Sequence, residues 1–232
     1  MTHHYSIFNN GADLAAGLSE GVAQALAKAI AARGAASIAV SGGSTPKAFF
    51  QALSNKDLDW TRVTITLVDE RFVPPDNERS NHALVKAHLL QNKAAQATFL
   101  PLYRADMSPE EAAKADTDAL AGLKLPFDVV VLGMGADGHT ASFFPGGNNL
   151  EAALDKTAAP AIITMEAEGA GEPRLTFNFT ALADARLLVL HIEGVEKKAV
   201  IDKALMQGDD NPYPIARVIA NAPSVTHIFW AP

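Results

Sequence analysis

With 232 residues, 48% of them apolar, the chain is long and hydrophobic enough to bury a core, which excludes a disordered segment. Its 26 acidic side chains against 19 basic ones leave a formal charge of −7, and no Lys/Arg cluster is present to neutralise a nucleic-acid backbone. The absence of cysteine removes disulfides, thiolate metal sites and a cysteine nucleophile together.

The first six residues hold no Lys or Arg and no long apolar run, so no secretory signal is expected. Nor does any apolar stretch approach the roughly 18 to 20 residues that cross a bilayer, so a cytoplasmic protein without a membrane partner is expected. An alanine-rich helix is predicted over 13–33, followed by a buried strand at 36–40 and a helix at 47–53. A strand at 63–68 and helices at 81–90 and 109–123 come next. The last of these opens on Ser108-Pro109-Glu110-Glu111, which combines a capping box with proline in the first turn. Strands then follow at 127–132, 161–164 and 187–192, helices at 195–206 and 215–220, and a closing strand at 225–230. Short apolar strands alternating with helices predict an α/β fold, a mostly parallel sheet with helices on both faces. The chain is read as one domain over 1–232, with 166–173 as a loose loop. Such sheets bind ligands beyond the carboxyl ends of their strands.

Three strand ends carry chemistry. After 36–40 comes Ser-Gly-Gly-Ser-Thr-Pro at 41–46. Gly42 and Gly43 allow a tight turn and close backbone approach, Ser44 or Thr45 is expected to cap the next helix, and Pro46 suits its first turn. Free N–H groups and two hydroxyls at a helix start suit an anion, although an ordinary strand-to-helix turn has the same pattern. After 63–68 the chain places Asp69, Glu70 and Arg71 at the sheet edge, ahead of a proline-rich loop at 74–80. After 127–132 stands Gly-Met-Gly-Ala-Asp-Gly-His-Thr at 133–140. It contains G-x-G-x-x-G, but Pro145-Gly146-Gly147 breaks the chain where a dinucleotide fold needs a long helix, so that reading is rejected. What remains is His139 beside Asp137 on a glycine turn, where a histidine has little to pack against and can take a proton from water. His191 and His227 sit in apolar strands and read as core residues, and His82 and His88 do not share a helix face. No spacing supports a metal site. Lys197 lies in the first turn of its helix, where the dipole disfavours a cation; it either points at an anion or faces solvent.

The motifs at 41–46, 69–71 and 133–145, together with Arg174 and Gly194-x-x-Lys197, resemble the glucosamine-6-phosphate isomerase/6-phosphogluconolactonase family across nearly the whole chain, and specifically its lactonase branch. The resemblance implies a modified Rossmann-like fold and cofactor-free hydrolysis of 6-phospho-D-glucono-1,5-lactone in the oxidative pentose phosphate pathway. It places the substrate phosphate on Gly42, Gly43, Ser44 and Thr45, with Arg174 and Lys197 as charge partners. His139 becomes the base that activates water, with Asp137 and Asp69 as its catalytic partners. Arg71, Asp69 and Asp137 line the sugar and orient the reacting groups. The implied partner is a small phosphosugar lactone, met by a monomer. The deaminase branch typically has an acidic residue five positions after the histidine, where this chain has Phe144, and Asp-Glu-Tyr where 69–71 reads Asp-Glu-Arg. A non-catalytic sugar-phosphate sensor is the other alternative, disfavoured because nothing before the first expected strand resembles a DNA-binding segment.

Overall fold

The computed structural model describes residues 3–206 and 211–232. In chain order the elements are β1 (His3–Ile7), α1 (Gly11–Arg33), β2 (Ala36–Val40), α2 (Lys47–Ser54), β3 (Val63–Leu67), β4 (Asp69–Arg71), α3 (Asn81–His88), β5 (Thr98–Leu100) and α4 (Pro109–Ala119). They continue with β6 (Val129–Leu132), α5 (Leu150–Ala153), β7 (Ile162–Met165), β8 (Arg174–Phe177), α6 (Phe179–Leu182), β9 (Leu187–Glu193), α7 (Val195–Met206), α8 (Pro214–Asn221) and β10 (Thr226–Ala231).

Seven strands form one parallel sheet in the order β1-β10-β9-β6-β2-β3-β5. The chain builds outward from β2 through β3 to β5, then returns to the other side of β2 with β6. The strand order therefore reverses between β2 and β6, and a ligand crevice is expected at their carboxyl ends. β2 and β6 are buried along their whole length, which explains why they read as unbroken apolar runs.

α1 covers this sheet with one stripe. Leu14, Leu18, Val22 and Leu26, four apart, are at most 1% exposed, and each such side chain contributes about 1.5–3 kcal/mol of burial. Asn10 caps its start by accepting the Asp13 N–H at 2.9 Å, and Gly34, at φ +79, ends it. The capping box of α4 is present as expected: Ser108 Oγ accepts the Glu111 N–H, and Glu111 accepts the Ser108 N–H. Among the described residues no helix is long and apolar enough to cross a membrane.

The structure differs from the sequence reading at three places. First, a strand, β1, precedes α1 and pairs in parallel with β10, His3 opposite Thr226 through Ile7 opposite Trp230. Its His-His-Tyr-Ser-Ile sequence lacks the apolar run of a central strand because an edge strand is only partly covered. Second, β5 is a three-residue edge strand, too short to show a period. Third, 69–71 is not an open loop and 162–165 is not in the main sheet. β4, β8 and β7 form a separate antiparallel sheet, order β4-β8-β7, with Asp69 opposite Thr176. Val68 hands the chain from one sheet to the other, its N–H donating to Val40 and its carbonyl accepting from the Phe177 N–H.

Candidate active site

A cleft of about 200 Å³ opens at the carboxyl ends of β2 and β6 and is walled by the small sheet and by α7. Nine of the ten residues that the sequence reading assigned to the site line it: Gly42, Gly43, Ser44, Thr45, Asp69, Arg71, His139, Arg174 from β8, and Lys197.

Loop 41–46 is locked from below. Ser41 Oγ donates to the Val131 carbonyl at 3.0 Å and accepts the Gly133 N–H at 2.8 Å, which joins the first glycine loop to the second. A side chain at position 42 would stand 1.8 Å from Asn81 Oδ1, so only glycine fits against the Asn81 amide. The expected cap fails. α2 starts at Lys47 with Pro46 as its N-cap, and neither Ser44 nor Thr45 bonds its first turn. Pro46 already has helical backbone angles (φ −78, ψ −3) and carries no hydroxyl, so the two preceding hydroxyls are left toward the cleft. Thr45 Oγ1 instead accepts from Lys197 Nζ at 3.4 Å.

Lys197 reaches the cleft from the first turn of α7. Burial pushes its ammonium below the ordinary lysine range, and the Glu193 charge pulls back the other way. His191, read from sequence as a core residue, is buried but also lines the cleft. Its place in the apolar run of β9 read as core, and nothing in the sequence distinguished the core from the cleft floor.

On the opposite wall, Asp69 Oδ2 accepts from Ser142 Oγ at 2.6 Å and has Arg174 Nη1 at 3.8 Å. Arg174 is 6% exposed, donates to the Ala170 carbonyl and lies over the Phe144 ring at 5.4 Å. Arg71 donates to the Arg79 carbonyl at 2.5 Å. Among the described residues, Arg71 Nε and Arg174 Nε are both buried without a hydrogen-bond partner. Burial, and then the charges of Arg71 and Arg79, work against the Arg174 cation, with Asp69 and Glu172 opposing them. Arg71 and Arg174 therefore each keep a buried charged donor unsatisfied, which is costly.

Glu70, which the sequence reading left without a role, is fully buried. Its oxygens accept the N–H groups of Arg71 and Asn81 at 2.7 Å and of His82 at 2.8 Å, and the Ser80 hydroxyl at 3.1 Å. Burial raises the Glu70 carboxyl above its ordinary range while these bonds hold it down. The side chain pins the start of α3 to β4, and this places Asn81 against Gly42 and Asp69.

His139 stands on a turn closed by the Gly135 N–H donating to the His139 carbonyl at 2.9 Å. Gly138 takes φ +77, and a side chain at Gly135 would meet the His139 ring at 2.2 Å. His139 Nδ1 lies 2.6 Å from Asp137 Oδ1. A carboxylate only accepts, so Nδ1 carries the proton and Nε2 keeps the lone pair of a base. Two expectations change here. His139 does have a packing partner, the Phe144 ring at 4.4 Å and 34°. Asp137 does not line the cleft; its side chain is half exposed and bonds the His139 ring and backbone N–H. The other histidines lie elsewhere: His82 packs on Phe99, His88 meets Gln51, and His227 sits beside His4. Among the described residues, no three His, Asp, Glu or Cys side chains are grouped to hold a metal ion.

The cleft thus lies at the switch point of a parallel sheet, between two glycine loops and with the Asp137-bonded His139 in its lining. The chain belongs to the family described as glucosamine-6-phosphate isomerases/6-phosphogluconolactonase, whose model matches residues 9–230. It is 58% identical over 232 residues, all of both chains, to the 6-phosphogluconolactonase of Rhizobium meliloti. A second relative, the 6-phosphogluconolactonase of Mesorhizobium japonicum, is 47% identical over 231 residues, 100% of this chain and 96% of that protein. The crystal structure of a 6-phosphogluconolactonase from Shewanella baltica superposes with a TM-score of 0.95 at 40% identity, covering 99% of this chain and 98% of that one.

Proposed function

We propose that the chain hydrolyses 6-phospho-D-glucono-1,5-lactone to 6-phosphogluconate, the second step of the oxidative pentose phosphate pathway. The observation that carries this reading is the Asp137–His139 pair, a base of fixed tautomer in the same cleft as an incompletely satisfied anion site.

In this reading the phosphate rests on the 42–45 loop, with Lys197 and Arg174 as charge partners, while Arg71 and Asp69 meet the sugar. His139 Nε2 takes a proton from water as the water oxygen attacks the lactone carbonyl. The tetrahedral intermediate collapses with cleavage of the bond from C1 to the ring oxygen, and the imidazolium returns its proton to that oxygen. Asp137 stabilises the imidazolium in between. The remote phosphate supplies binding energy that holds the ring for attack. Phe144 favours hydrolysis over sugar-phosphate isomerisation, since a phenyl ring against the base cannot relay protons. The chemistry as drawn runs on the chain's own groups. The chain is taken to work as one domain, as a cytoplasmic monomer acting on a small phosphosugar lactone, with no nucleic-acid partner.

The test is lactone opening above a buffer blank, with the lactone generated in situ at slightly acid pH and EDTA present. Acceleration by wild type supports the reading. A rate equal to the blank overturns it and turns attention to glucosamine 6-phosphate. Light scattering after size exclusion tests the monomer.

A further inference from the structure

Ser142 follows His139 by three residues and has no part in the chemistry drawn above, yet it is fully buried behind the cleft lining. Its hydroxyl donates to Asp69 Oδ2 at 2.6 Å, the short distance expected of an O–H on a carboxylate. Arg174 Nη1 approaches the same oxygen but stops at 3.8 Å. Asp69 meets both neighbours through Oδ2, which leaves Oδ1 as the oxygen available to the cleft that Asp69 lines. The Ser142 backbone is fixed from two sides. The Phe143 N–H closes a turn on the Thr140 carbonyl at 2.9 Å, and within it Ala141 takes φ +47, a region that residues with a side chain rarely adopt. The Ser142 N–H donates to Thr176 Oγ1 at 3.4 Å, and Thr176 is the residue opposite Asp69 in the pairing of β4 with β8. The Asp69 backbone is held in turn by the Asn81 amide, which donates to its carbonyl at 2.9 Å. A strained turn, a cross-strand contact and a short charge-assisted bond thus converge on the Asp69 carboxylate from the segment that carries His139.

We propose that Ser142 is a positioning residue for sugar recognition: its hydroxyl holds Asp69 Oδ2, keeps that oxygen from closing on Arg174, and so presents Oδ1 to a hydroxyl of the phosphosugar. This rests on the reading of the cleft as a phosphosugar site in which Asp69 meets the sugar. Ser142 touches no ligand; it acts through Asp69.

The test titrates 6-phosphogluconate and inorganic phosphate into wild type, Ser142→Ala, Asp69→Ala and the double variant, alongside KM and kcat for the phosphorylated lactone in the first two. Ser142→Ala is expected to weaken 6-phosphogluconate about tenfold and raise KM in step, with kcat within about threefold. Inorganic phosphate, which has no sugar to recognise, should bind within about twofold of wild type. In the Asp69→Ala background the same serine substitution should change 6-phosphogluconate affinity by less than about twofold, because the group it positions is gone. A serine that only fills space would weaken both ligands and add its effect to that of Asp69→Ala. Either of those results, or unchanged 6-phosphogluconate affinity in Ser142→Ala, overturns the proposal. Should the alanine variant not fold, Ser142→Cys, which fills the same space with a weaker donor, carries the same expectation in direction. Wild type that shows the binding pattern but does not open the lactone overturns the functional reading and leaves this one standing. Lactone opening with an unaffected Ser142→Ala does the reverse.

Discussion

The same ingredients, a buried aspartate and two arginines, occur at both edges of the parallel sheet with opposite outcomes. At the amino edge Asp128 gives both oxygens away, Oδ2 to the Ser37 N–H at 2.9 Å and Oδ1 to Arg33 and to Arg186, the latter at 3.4 Å. At the carboxyl edge Asp69 takes the Ser142 hydroxyl and only a 3.8 Å approach from Arg174, while Arg174 and Arg71 each keep a buried, unpartnered Nε. The first cluster is complete and holds the end of α1 to the sheet. The second leaves buried charged donors unpaired, which is costly, and under the proposed function the substrate's anionic group completes it.

Four measurements break or sharpen this contrast. The largest effect is expected at the carboxyl edge: His139→Ala should lower kcat for the lactone about a thousandfold, within the 10²–10⁴ typical of a general base. A variant that keeps most of its rate removes the His–Asp pair from the chemistry.

Next comes pH. Because the folded-state pKa of His191 lies at about 4, below the ordinary 6.5, its contribution to stability is complete above pH 6.5 and is lost as pH falls through 4. Denaturant titrations should show up to about 3 kcal/mol lost between those limits in wild type beyond what His191→Gln loses. Parallel curves for the two proteins contradict the buried neutral imidazole.

Arg174→Met should reduce kcat/KM about tenfold to a hundredfold, mostly through KM, since a charge-assisted bond contributes about 1.5–3 kcal/mol. The smallest effect belongs to the amino edge. Asp128→Asn should leave KM and kcat unchanged and lower Tm by about 2–8 °C, corresponding to about 1–2 kcal/mol at partners that are half exposed. If Asp128→Asn instead raises KM as Arg174→Met does, the two edges are not the separate devices described.

Most of the parallel sheet was legible because buried strands of a doubly covered sheet are apolar throughout, and α7 was read over the same residues, 195–206, that it occupies. β1 and β5 were not legible, since edge strands need neither length nor an apolar face. The small antiparallel sheet was missed because Asp69-Glu70-Arg71 reads as polar loop until β8 is seen opposite it. In the site, the glycine loops and His139 announced themselves locally: glycine where the chain turns tightly, and histidine where no hydrophobic period called for it.

The sequence by itself determined the strand-to-helix order, the two glycine turns and the residue types at the sheet's carboxyl edge, because each depends on neighbours a few positions away. Tertiary structure alone decided that Glu70 anchors α3, that Asp137 bonds His139 outside the cleft, that Phe144 packs against both His139 and Arg174, and that His191 is buried yet lines the cleft. Each of these depends on partners brought together from distant parts of the chain, and on burial that turns a weak surface contact into a strong one.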